Sequence, residues 1–149
     1  RMLVDEFGLD CAIDYKNDDV EQALTRIGGG IHVYFDNVGG PLLDAVLPHM
    51  AHYGRVAICG LVATYTADSA TPGPRRFDQV LMRRLSIAGF FSPDFAHRGP
   101  EYNSLLQPWL RAGRITLPFD ITTGLENLLT AYAKLFTGGN IGKVLVKLT

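Results

Sequence analysis

The stretch "IHVYFDNVGG", residues 31–40, decides how this chain is read. Four of its first five residues are β-branched or aromatic, the make-up of a strand packed inside a sheet. The run then ends in Asp36, Asn37, Val38 and two glycines, and "PLLDAVLPHM" (41–50), with helical spacing, follows at once. A strand that passes straight into a helix is half of a βαβ unit, and such units build parallel sheets. In open parallel sheets ligands sit beyond the carboxyl ends of the strands. "DNVGG" is such an end. Its glycines allow a tight turn and a close approach of backbone to ligand, and Asn37 offers both a donor and an acceptor. The same residues also suit an ordinary strand-to-helix turn in which Asp36 and Asn37 cap the helix.

Outward from this stretch, strands and helices alternate. "CAIDY" (11–15) reads as a strand, and "DDVEQALTRI" (18–27) as a helix with Asp18 as its N-cap, broken by Gly28–Gly30. After the helix at 41–50, with Pro41 in its first turn, "GRVAICG" (54–60) is a strand. A loop rich in Ala, Thr, Pro and Gly covers 61–76, and irregular segments of this length often carry function. "FDQVLMRR" (77–84) is a helix, "LSIAGFF" (85–91) a strand and "PEYNSLLQPWLRAG" (100–113) a helix. "LPFDIT" (117–122) is extended, "LENLLTAYAKLF" (125–136) helical, and "GKVLVKL" (142–148) the last strand. The expected class is α/β, a mostly parallel sheet flanked by helices. Two further strand ends face the same edge as Asn37: one continues through Cys59, Gly60, Thr64 and Tyr65, the other ends in Phe90, Phe91 and Ser92. Phe90 and Phe91 equally suit a hydrophobic core.

Composition narrows the function classes. With 149 residues, 47% hydrophobic and 19% charged, the chain has enough apolar side chains for an ordinary domain core. A net charge of -1 provides no electrostatic surface for nucleic acid or membrane. No apolar run approaches bilayer length. Two cysteines, Cys11 and Cys59, set up neither a disulfide framework nor a paired metal spacing, so a reducing, cytoplasmic setting is expected. The four histidines, His32, His49, His52 and His97, have no zinc-ligand spacing. There is no GxSxG nucleophile elbow, no Walker motif and no dinucleotide fingerprint; Gly28–Gly30 precedes a strand instead of joining strand to helix. "RMLVDEFG" (1–8) reads as the tail of a helix closed by Gly8, and a chain that begins mid-helix is expected to be a piece of something longer.

Four segments in order, "YFDNVGG", "GRVAICGLVATY", "GFFS" and "GLENLLTAYAKLFTGGNIGKVLVKL", resemble the zinc-independent medium-chain dehydrogenase/reductases. The branch they resemble most is the prostaglandin and curcumin reductase group, which reduces the double bond of enones with NADPH. The resemblance covers essentially the whole chain, and the pairing of "YFDNVGG" with "GGNIGK" is its most specific part. It implies a Rossmann-type nucleotide domain over 1–116 and a segment returning to the catalytic domain over 117–149. Tyr15 resembles the family's tyrosine beside the adenosine ribose and its phosphate. Asn37 resembles the asparagine that contacts the cofactor at the end of the fourth strand. Cys59, Gly60, Thr64 and Tyr65 match the loop along the nicotinamide half, with Tyr65 near the reacting enone. Phe90, Phe91 and Ser92 match the nicotinamide lining, and Asn140 an asparagine reaching the cofactor from the C-terminal segment. The implied cofactor is NADP(H), with no metal. The implied reaction sends hydride to the β-carbon of an unsaturated ketone or aldehyde, while a hydroxyl, that of Tyr65 or of the cofactor ribose, stabilises the enolate oxygen.

The chain also departs from that pattern. Aligned this way, Arg1 falls within the helix after the second Rossmann strand, so the partial sheet lacks its first two strands. The glycine fingerprint, the basic residue that reads the 2′-phosphate and the N-terminal catalytic lobe are missing with them. In the order 3-2-1-4-5-6 the lost strands lie between 11–15 and 31–35. The strand at 31–35 is then expected to expose an unpaired hydrophobic edge, and the chain alone to have little or no reductase activity. The strand at 85–91 resembles the one through which these enzymes form homodimers. Two other functions stay open: a quinone reductase of the same superfamily, and a non-catalytic nucleotide-sensing or assembly module on the same fold.

Overall fold

A computed structural model describes residues 2–65 and 73–148. The chain divides into two compact units, 1–97 and 98–149.

The first unit opens with a short helix, α1 (Met2–Asp5), closed by Gly8 at φ 68°, whose N–H donates to Val4 O. Helix α2 (Val20–Ile27) is capped by Asp19, whose Oδ1 accepts from Gln22 N at 2.9 Å. This corrects the expected cap Asp18, which instead accepts from Asp14 N at 2.8 Å. The expected strand at 11–15 is not formed: residues 11–14 have no regular structure and Tyr15 begins a turn held by Asp14. A strand exists through its ladder, and among the described residues no strand pairs with these.

Strands β1 (Ile31–Asp36), β2 (Met50–Ile58) and β3 (Ser86–Gly89) form a parallel sheet in the order β1-β2-β3. Asp36 pairs with Ile58, and Ile58 with Gly89, so the three carboxyl ends lie side by side. Between β1 and β2 run helix α3 (Gly40–Val46), with Pro41 in its first turn, and a tight 3-10 turn at Leu47–His49. Pro48 supplies no N–H and ends the α-helical pattern that the sequence suggests up to residue 50. Helix α4 (Asp78–Met82) precedes β3. The core lies on one face of the sheet: Leu43, Val46, Leu47, Met50, Val56 and Leu85 are buried, with Leu24, Tyr34 and Val80 packed against them. Burial of a side chain such as Val56 contributes about 2 kcal/mol. Residues of alternate parity on β1 are bare, Val33 at 64% and Phe35 at 53% exposure, and among the described residues β1 has a neighbour on one side only. The middle of the expected 61–76 loop, residues 66–72, lies outside the described residues.

The second unit starts with α5 (Gly99–Arg111). A βαβ element follows: β4 (Phe119–Thr123) and β5 (Lys143–Lys147) pair in parallel, joined through α6 (Leu128–Thr137). Ala131 of α6 is buried, and Lys134 Nζ reaches Asp120 Oδ1 at 2.7 Å, tying the helix to β4. Gly138 closes α6 in the left-handed conformation.

Candidate active site beyond the strand ends

The carboxyl ends of β1 and β2 are stitched together. Asp36 O accepts from Cys59 N at 2.8 Å and from Gly60 N at 3.1 Å; Asn37 O accepts from Val62 N at 3.2 Å, and Val38 O from Ala63 N at 3.0 Å. The residues after β2 thus run alongside the Asn37 turn at backbone contact. A Cβ on Gly60 would stand 3.0 Å from Asn37 O, and one on Gly39 2.6 Å from Leu61 Cδ2. At Gly60 the close atom belongs to the backbone, and at Gly39 a φ of 69° itself favours glycine.

Asp36 is fully buried at the centre of this stitching. Its Oδ1 accepts from Val38 N and Gly39 N, both at 2.9 Å, and from the Tyr34 hydroxyl at 3.0 Å. Burial, with the Asp36 carboxylate adding to it, pushes the Tyr34 phenol well above its ordinary pKa, so Tyr34 serves as a neutral donor.

On the other side, β3 ends at Gly89, before the phenylalanines that the sequence reading includes in it. Phe90 N donates to Ile58 O at 2.8 Å, and Ser92 begins a 3-10 helix (Ser92–Arg98). The two phenylalanines part: Phe90 is half-buried, 5.0 Å from Phe95 in a stacked pair and 6.0 Å from Phe35, whereas Phe91 is 65% exposed.

A cleft of about 440 Å³ opens over these ends, lined by Cys59, Gly60, Thr64, Tyr65, Phe90 and Phe91 among others. Six of the sequence-selected residues therefore meet in one place. Tyr65 is held loosely, its Oη accepting from Leu61 N at 3.4 Å; Thr64 Oγ1 donates to Leu61 O at 2.7 Å. Cys59 is a free, partly buried thiol. Tyr15 lies in a second cleft, of about 340 Å³, with Val38, Gly39 and Ala63. The stitched backbone is a wall of both clefts. Asn37 and Ser92 are exposed at the rim residues of these turns and line neither cleft. Asn140 belongs to the second unit, where its Nδ2 donates to Gly142 O at 2.8 Å. Leu61, inside the run from Cys59 to Tyr65, also lines the larger cleft, and Ile58, Gly89 and Asp94 do so without having been expected there. The strand register brings them in, and Asp94's place two residues beyond Ser92 was the one local signal.

Among the described residues no three His, Cys, Asp or Glu side chains gather into a set able to hold a metal ion. An open cleft with a glycine floor and an aromatic side does fit a flat, polar-edged ring such as a nicotinamide. Among the described residues, no helix is long and apolar enough to cross a membrane.

A family model described as zinc-binding dehydrogenase matches residues 7–146. The 2-alkenal reductase (NADP(+)-dependent) of Nicotiana tabacum is 40% identical over 147 residues, covering 97% of this chain and 43% of the relative. The NADPH-dependent curcumin reductase of Escherichia coli K12 is 35% identical, covering 99% of this chain and 44% of the relative. Among solved structures, CurA of Vibrio vulnificus in complex with NADPH superposes with a TM-score of 0.87 at 36% identity, over 99% of this chain and 46% of that one. The chain thus spans less than half the length of each of these proteins.

Proposed function

We propose that this chain, which belongs to the zinc-binding dehydrogenase family, is the nicotinamide-side portion of an NADPH-dependent reductase of α,β-unsaturated ketones and aldehydes. The observation that carries the reading is the convergence of Cys59, Gly60, Thr64, Tyr65, Phe90 and Phe91 on one cleft beyond the ends of β2 and β3. The names of the relatives, an alkenal reductase and a curcumin reductase, support the same chemistry. In this proposal Gly60 and the Cys59 backbone bed the nicotinamide, Phe90 and Phe91 flank it, and Asn37 and Ser92 contact it from the rim. Tyr15 takes the adenosine ribose side, and Asn140 reaches the cofactor from the C-terminal segment. Residues 1–116 then form part of the nucleotide domain and 117–149 return to the catalytic lobe. The strand at 85–91 joins two copies across a two-fold axis. The two free thiols suit a cytoplasmic enzyme.

NADPH, when bound, supplies the hydride. The chain's own task is to place the enone and stabilise the charge that moves onto its carbonyl oxygen. Tyr65 lines the cleft; its oxygen accepts from Leu61 N, and its hydroxyl donates to no partner among the described residues. It is free to donate to the enolate oxygen, where a preorganised donor is worth most.

The test uses the full-length protein that carries these residues, with an alkenal and NADPH, and follows NADPH consumption together with product identity. The expected product is the saturated aldehyde. Tyr65→Phe should lower kcat about 100-fold while leaving the KM for NADPH close to wild type. Reduction of the carbonyl to an alcohol, or turnover with quinones and with no enone, would overturn the proposal.

A further inference from the structure

Asp36 holds more of this site together than any residue that lines it. Its main-chain oxygen takes the amides of Cys59 and Gly60, at 2.8 and 3.1 Å. Its side-chain Oδ1 takes the amides of Val38 and Gly39, both at 2.9 Å, and the Tyr34 hydroxyl at 3.0 Å. Five donors from three segments thus end on one residue. The other carboxylate oxygen, Oδ2, is sealed from solvent and finds no partner among the described residues. An unpartnered buried carboxylate oxygen works against folding. A neutral amide oxygen would avoid burying the charge, but it would accept the same donors more weakly than a carboxylate oxygen does. Three donors crowded on one oxygen suit an ionised acceptor, whose attraction depends less on lone-pair direction. The buried acid therefore makes sense where the geometry of the turn matters more than stability.

We propose that Asp36 is a positioning residue for cofactor binding, holding the Asn37 turn and the Cys59–Gly60 segment in the conformation that receives the nicotinamide half of the cofactor. The proposal rests on the reductase reading above. It predicts that the site is set before the cofactor arrives, and that disturbing Asp36 changes how the cofactor is held as well as how stable the fold is.

The experiment uses the full-length protein in three forms: wild type, Asp36→Asn and Tyr34→Phe. Wild type is first tested for NADPH binding by nicotinamide fluorescence and for enone turnover; failure of both overturns the reductase reading itself, before any variant is measured. Asp36→Asn keeps the side-chain volume but offers the turn a neutral oxygen. It is expected to raise the KM for NADPH about ten-fold and to lower kcat as well. Tyr34→Phe removes one donor from Oδ1 and leaves both turn amides in place. It is expected to lower Tm and to leave the KM for NADPH near wild type. A purely structural Asp36 would lower Tm in both variants and change KM in neither, and that result overturns the proposal. Hydrogen exchange on cofactor-free wild type decides the matter if Asp36→Asn does not fold. The amides of Val38, Gly39, Cys59 and Gly60 should already be protected; free exchange of these four until NADPH is added would also overturn it.

Discussion

At the scale of single residues, two positions carry predictions that depend on closeness and burial. Gly60 packs its α-carbon against the Asn37 carbonyl, and a methyl group there would meet that oxygen at 3.0 Å. Since Asn37 O is also held by Val62 N, the turn has little room to give. Gly60→Ala should therefore destabilise the protein by roughly 1–3 kcal/mol and weaken cofactor binding in the full-length protein, checked by Tm and a fluorescence titration. Tyr34 has its pKa raised, first by burial and then by the Asp36 carboxylate. The folded protein keeps a proton that the unfolded chain releases above about pH 10. The resulting stabilisation is complete below that value and is lost as pH rises beyond it. A Tm profile into the alkaline range should fall more steeply for wild type than for Tyr34→Phe; parallel profiles would show that Tyr34 does not titrate differently on folding. Residue types at the strand ends were open to reading in the sequence: Asn37, Cys59, Gly60 and Tyr65 stood out because amides, thiols and glycines are unusual ends for apolar runs. Asp36 was seen only as a capping residue, because its five donors come from residues up to 24 positions away in the chain, from Tyr34 to Gly60.

At the scale of elements, pairing decided what local composition left open. "CAIDY" has the residues of a strand and forms none, for want of a neighbour. "MAHY" carries little strand character, yet Met50–Tyr53 belong to β2. The register shift beside β1 takes up the extra residues there, and Tyr53 adopts φ 63° within it. β1 is the element with the clearest liability. Among the described residues one of its edges has no partner strand, and Val33 and Phe35 are exposed. An edge of this kind templates pairing with another chain. The 149-residue chain should accordingly show a mass that rises with concentration above 16.3 kDa in light scattering. Val33→Lys should suppress the rise; a constant 16.3 kDa at every concentration would remove the edge as an association site.

At the scale of the whole molecule, the first unit presents a cleft over a three-stranded sheet, and the chain covers less than half the length of the reductases it resembles. Neither the G-x-G-x-x-G fingerprint nor the Walker motif of a phosphate-binding turn is found in its sequence. The isolated 149 residues are expected to turn over enones at least about 100-fold more slowly than the full-length enzyme, because loss of cofactor positioning alone costs that much. Side-by-side steady-state assays check it, and equal rates would show that the cleft suffices. By itself the sequence determined the alternation of strands and helices, the breaks at the glycines, and the chemical character of the three strand ends. These depend on local sterics and hydrophobic period, which act between near neighbours. Tertiary structure alone decided which apolar runs became strands, the register that sets Asp36, Ile58 and Gly89 in line, and the gathering of distant amides on Asp36. Those outcomes depend on hydrogen-bond partners far apart in the chain, and a partner does not exist until the sheet has formed.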